Sequence, residues 1–399
     1  MMIPIQPLFA LFLFLGGNAI STACSADHPP NSPESSDQQI RRLLYVASPG
    51  IRNYLQYGGH GVVVFDVDND HQFVRRISLK GYGTDQRGNP LNIKGICGNA
   101  RTGRMYLSTI RHLICLDLLT DKILWQREFP LGCDRMSMSP DGSIIYQPSF
   151  EKDRWYVVNA ENGSISTEVV TNSRAHNTVF SVDGREAYLA GLGSSYLTVA
   201  DGKTHKILRK VGPFSGSIRP FTVNGDSSLV YVNVNGLLGF EIGDLKTGKK
   251  LHRVEVREVP RGKPLRHGCP SHGIGMTPDQ RQIWVSDGFN SMVHIFDSTN
   301  SPPTLQHSVK LRGQPGWVTF SLDGKIGWPS TGQAIDTRTH KIIGSLTDEK
   351  GRAVESEKIL EVQIIDGETT DGETTDGKKV LSVGDQFGRG QIKRATDKS

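Results

Sequence analysis

One short phrase, returning at near-constant spacing, constrains this chain more than any other feature. Ser139-Pro140-Asp141-Gly142, Ser181-Val182-Asp183-Gly184, Thr222-Val223-Asn224-Gly225, Thr277-Pro278-Asp279-Gln280 and Ser321-Leu322-Asp323-Gly324 are versions of one turn, with a degenerate copy at Ala100-Arg101-Thr102-Gly103. Successive copies lie 39, 42, 41, 55 and 44 residues apart, counted from Thr102. An Asp or Asn side chain bonds its own turn's backbone, and Gly takes positive φ without steric cost, so each phrase closes a tight hairpin. A period of about 40 to 45 residues with about four strands in each period is the pattern of propeller blades.

Short runs of β-branched and aromatic residues fill the intervals, and no long 3.6-residue apolar period competes with them. Leu43–Ala47, Gly61–Val67, Phe73–Leu79, Arg104–Ser108, Leu113–Leu118 and Lys122–Glu128 are the first predicted strands. Six turn copies and an incomplete first unit (Leu43 to Leu79) predict an all-β, seven-bladed β-propeller of four-stranded antiparallel blades occupying 43–399. The first unit lacks an innermost strand. Val380-Leu381-Ser382-Val383 is the candidate to supply it, closing the ring with a C-terminal strand and removing free sheet edges. The duplicated acidic tract 366–377 before it lacks EF-hand spacing and reads as a solvated low-complexity loop.

The N-terminus reads as an export signal. Leu8 to Gly17 is an apolar run of the length of a secretory h-region, followed by small residues, with cleavage expected after Ala23. Ser21-Thr22-Ala23-Cys24 also resembles a lipoprotein processing box, which would lipidate Cys24. A freely exported protein and a lipid-anchored one both remain open. Residues 24–42, polar and rich in Pro and Ser, are expected to form a disordered tether. The four later cysteines, Cys97, Cys115, Cys133 and Cys269, contain no CxxC pair, which argues against structural zinc and thioredoxin-like chemistry. Buried free thiols, a Cys97–Cys133 bridge and a Cys269–His267 pairing on a soft metal are the readings open to them. With 46 Lys+Arg against 41 Asp+Glu and no basic stripe, no nucleic-acid partner is expected.

The spaced turns, the strand Tyr231-Val232-Asn233-Val234-Asn235 and the phrase Val293–Asp297 resemble the YVTN-type β-propeller repeat family of exported bacterial proteins, related to the propeller subunit of quinoprotein amine dehydrogenases. The resemblance spans Leu43 to about Gly388. It implies the fold and leaves function open, because such propellers serve as enzymes, redox subunits, binding proteins and scaffolds.

Repetition converts offsets into ring positions. Seven residues before each turn Asp stand Gly95, Asp134, His176, Ser217, His272 and Gly316, where an inner strand begins at the channel mouth. His176, His272 and Asp134 are the candidate catalytic residues, as acid, base or ligands of a divalent metal held by His176 and His272. Long connections gather on the same face: Gly50–Gly61, Lys80–Lys94 and an insertion, Arg261 to Cys269, that accounts for the step of 55. Arg135, Arg219, Arg266 and His267 are candidate anion ligands, Trp317 a candidate stacking surface, and Asp287 a polar group on a neighbouring loop. The sequence thus points to an exported binding protein for a small polar or anionic ligand, a glycan or a protein partner. Its rivals are a mouth-sited lyase or hydrolase acting on a sugar-like or anionic substrate, and a subunit of a redox complex. There is no phosphate loop, nucleophile elbow, HExxH or CxxCH.

Overall fold

The computed structural model describes residues 40–260, 262–365, 369–370, 373–374 and 377–390. The export signal, Cys24, Arg261 and most of the tether and of the acidic tract lie outside them. Seven sheets of at least four antiparallel strands form a seven-bladed β-propeller. Six blades are sequential. Their inner strands are Ile93–Asn99, Ser137–Met138, Ala175–Phe180, Ile218–Val223, Ser271–Met276 and Val318–Phe320. The first strand begins at Ile40, inside the expected tether.

Closure corrects one expectation. The missing inner strand of the first unit is Ile359–Ile365, which pairs with Ile40–Ser48 over seven residues. Lys379–Val383, which contains the expected closing segment, is a fifth strand added on the channel side of it. The physical reason is burial. Ile359, Leu360 and Val362 are buried between blades, whereas Leu381 to Val383 stay partly exposed. The acidic tract therefore joins two strands of one blade instead of preceding the closing strand.

The repeated turns work as their chemistry dictates. In the Ser139 copy the hydroxyl bonds Asp141 Oδ1 at 2.5 Å, Ser143 N–H donates to the same oxygen at 3.1 Å, and Gly142 sits at φ 73°. The Ser181 and Ser321 copies repeat this, with Ser hydroxyl to Asp distances of 2.7 and 2.6 Å. Each third strand ends in a second Asx turn, as at Asp117, Asp201, Asp244 and Asp336.

Blades are joined by large buried aromatics. Trp155 donates to Thr178 Oγ1 of the next blade at 2.8 Å, and Trp284 packs edge-on against Phe320. Trp328 donates to Nε2 of His71 at 2.9 Å, linking the sixth blade to the closing blade. That acceptor role requires a neutral imidazole. Burial, with Arg42 nearby, lowers the His71 pKa from its usual value, so the unfolded chain binds the extra proton first. Stability from this group is therefore complete above about pH 6.5 and falls as pH drops below it. Melting temperature should decline from pH 7 towards 5.5, and His71→Gln, which keeps an acceptor without titrating, should flatten part of that slope. An unchanged slope in the variant would show that His71 is not a source of it.

Candidate functional site

The site forms where the inner strands begin. There the ladder between first and second strands slips by one residue, between Ile93 and Gly95, Ala175 and Asn177, and Ser271 and Gly273. The extra residues are Lys94, His176 and His272. A bulge leaves one residue unpaired and re-aims its side chain, and here the repeat places three such residues around one opening. In the second blade Asp134 N–H bonds Pro148 O while Ser137 pairs with Tyr146, which places the same slip beside Arg135. In the fourth the slip falls between Ile218 and Phe221, at Arg219-Pro220. Counting from the turns names His176 and His272 directly. It misses Lys94 by one residue, because the distance from bulge to turn varies between blades.

Two clusters result. In the first, Asp134 Oδ2 holds His176 Nδ1 at 2.8 Å and Oδ1 lies 3.3 Å from Lys94 Nζ. Burial opposes the charge on Asp134, but His176 and Lys94 hold its carboxyl below the usual range. Burial likewise lowers the His176 pKa, against the pull of Asp134. A neutral ring with Nδ1–H on the carboxylate leaves Nε2 as an acceptor or base.

Glu357 is the centre of the second cluster. Its Oε2 accepts from Arg135 Nη2 at 2.7 Å and Lys358 Nζ at 2.9 Å, while Oε1 lies 3.7 Å from His267 Nδ1 and 3.8 Å from His272 Nδ1. Burial alone would raise this carboxyl. Lys358, His272, Arg135 and His267 instead hold it well below its usual range. Burial also pushes the Lys358 amine down to about 7, against the pull of Glu357, and its Nζ donates to Gly50 O at 2.7 Å. Arg135 reaches from the second blade to the closing one, and its guanidinium lies 3.7 Å from the centre of the Trp317 ring in the sixth. It is 2% exposed, and its Nε and Nη1 have no partner.

Above these clusters two long loops meet. Arg266 of the insertion stacks over Tyr57 at 4.7 Å, bonds its hydroxyl at 2.8 Å and pairs with Glu355. Arg52 donates to Arg266 O at 3.1 Å. The Gln314 side chain pins the insertion by accepting from Leu265 N–H and donating to Lys263 O and Phe289 O.

The structure thus joins Asp134 to His176 and joins Arg135, His267 and His272 through Glu357. His176 and His272, expected to share a metal, take different carboxylates. Arg219 lies beside the insertion and bonds Asn235 Oδ1 at 2.6 Å. Trp317 is 1% exposed, donates to Gln386 O and packs against Phe387, so its ring is part of the channel filling and not an open stacking platform. Asp287 is fully buried and spent on its own loop, accepting from Asn290, Phe289 and His294. Ser217 contributes a carbonyl to Asn235 N–H. Cys97, Cys115, Cys133 and Cys269 are all free thiols, and Cys269 Sγ faces Ser271 O at 3.3 Å. Glu357 and Lys358 had a readable signal, a charged pair immediately ahead of the alternating segment Ile359-Leu360-Glu361-Val362.

No family model matches the chain, and no curated protein matches it. Among solved structures, a chain of Kuenenia stuttgartiensis hydrazine synthase superposes with a TM-score of 0.44 at 13% identity, covering 63% of this chain and 94% of that one. A likeness at this level fixes neither family nor function.

Proposed function

We propose that the chain is an exported binding propeller of the YVTN-repeat type that takes a small anionic ligand at the channel mouth. The observation that carries this is a charge imbalance. Lys94, Arg135, Arg219, Arg266, Arg312 and Lys358 stand against Asp134, Glu355 and Glu357 in the ion pairs and contacts of the mouth. Cations confined in a low-dielectric recess attract an anion more strongly than the same charges spread over a surface. The unpartnered guanidinium N–H groups of Arg135 and the unpartnered carboxamide of buried Asn177, which form a backbone bridge, add donors and an acceptor there. Export rests on the apolar N-terminal run alone.

A ligand that binds the folded state raises the melting temperature by mass action. Millimolar sulfate, phosphate, di- and tricarboxylates and sugar acids, screened with a chelator present, should include at least one that stabilises the protein. Lys94→Gln or Arg219→Gln should weaken that binding about tenfold, the scale of one charge-assisted hydrogen bond. A panel without any shift, or variants that bind like the parent, would refute the anion site. The Asp134–His176 pair favours a second reading, an acid/base enzyme on an anionic sugar. Turnover of a sugar-acid polymer that disappears in His176→Ala while binding persists would select it over a pure binding role.

A further inference from the structure

We infer that His267, His272 and Glu357 form a binding site for one divalent transition-metal ion. This goes beyond the anion reading and does not depend on it. One ligand atom from each residue lies within 4.8 Å of the others, and no other group of three or more His, Cys, Asp or Glu among the described residues converges in this way. Two imidazoles and one carboxylate are a borderline-soft donor set suited to zinc, cobalt or iron, with coordination positions left for water or an anion.

The surroundings orient these donors as a metal site requires. His272 Nδ1 is 2.9 Å from Gly316 O, and His267 Nε2 is 3.4 Å from Gln314 O. With these N–H groups on backbone carbonyls, His272 Nε2 and His267 Nδ1 keep their lone pairs, the kind of second contact that fixes the tautomer of metal-binding histidines. The rings stand 4.3 Å apart. Arg135 and Lys358 occupy Oε2 of Glu357, which turns Oε1 towards both imidazoles. Residue 316 must be glycine for this packing. A Cβ there would fall 2.0 Å from Glu357 Oε1 and 2.4 Å from His267 Cε1.

His267 comes from the insertion that lengthens one repeat period, so the site joins that loop to two positions at the heads of inner strands. The neighbouring cations weaken binding of a metal ion, and they leave a bound ion short of negative charge, so that its open positions favour an anionic ligand.

The test uses the metal alone. Full-length chelator-treated protein is dialysed and titrated with cobalt(II), followed by visible absorption, and with zinc(II), followed by metal analysis. One equivalent should bind, with d–d bands of a nitrogen- and oxygen-ligated cobalt ion. His272→Ala and His267→Ala should each weaken binding by about tenfold to a hundredfold, and His176→Ala should leave it unchanged. Circular dichroism separates ligand loss from unfolding, and His267→Gln serves where the alanine variant does not fold. Absence of stoichiometric cobalt or zinc in folded parent protein, or equal binding by the His267→Ala/His272→Ala pair, overturns the site. Because the anion screen is run in chelator, either reading can fail without the other.

Discussion

Ending the chain after Val383 should cost at least about 5 kcal/mol of stability relative to ending it after Gly390. Residues 384–390 run through the propeller channel on the side of the repeated turns and bond every blade. Gly384 N–H bonds Glu361 O, Ile96 N–H donates to Gln386 Oε1, and Gln386 Nε2 donates to Met136 O. Trp317 and Thr319 donate to Gln386 O, Thr222 and Met276 N–H to Gly388 O, Arg389 to Phe180 O, and Gly390 N–H to Val223 O. Propeller inner strands expose an unpaired backbone edge to the channel, and an unmet buried polar group costs about 1 to 3 kcal/mol. Phe387, 2% exposed against Trp317, adds about 2 kcal/mol of apolar burial. The segment can enter only where side chains are missing. Gly388 has φ +54°, and a Cβ there would lie 3.0 Å from Phe320 and 3.2 Å from the Gly275 backbone. Denaturant unfolding of the two truncations measures the difference directly. Equal midpoints would show that the segment adds nothing to the ring.

How much of this was legible depends on which residues carried a period. The turns at Asp141, Asp183 and Asp323 are local chemistry repeated at fixed spacing, so blade number and most strand positions followed from them. His176 and His272 sit at a constant offset from such turns and were readable for the same reason. Three things were not. Bulge position relative to the turn varies by a residue or two, which displaced Lys94 from the counted position. Closure joins Ile40–Ser48 to Ile359–Ile365 across 319 residues at the Arg42–Glu361 ion pair, with no local signal distinguishing it from the rival segment Val380–Val383. The third is the clustering around Glu357, whose partners come from two other blades, an insertion and the adjacent Lys358. A cross-channel cluster has no sequence spacing, since its members meet only once the ring has closed.

Replacing Glu357 should therefore have a large effect, and the form of that effect decides what the cluster is for. Glu357→Leu alone leaves the buried Arg135 guanidinium without its counter-charge and drives the Lys358 amine, already pushed down to about 7, to its neutral form, a change worth about 3 to 5 kcal/mol. The side chains of both cations are only 2% exposed, so water can replace little of the lost partner. Combining it with Arg135→Met and Lys358→Met removes all three charges and keeps roughly the same volume. Buried ion clusters exchanged for apolar residues are often neutral or stabilising, so the triple variant should recover most of the loss. Recovery of stability accompanied by loss of anion and metal binding would identify Arg135, Glu357 and Lys358 as a set retained for ligand recognition. A triple variant as unstable as Glu357→Leu would instead make the cluster a structural tie across the channel, with Arg135 on Trp317 as its anchor.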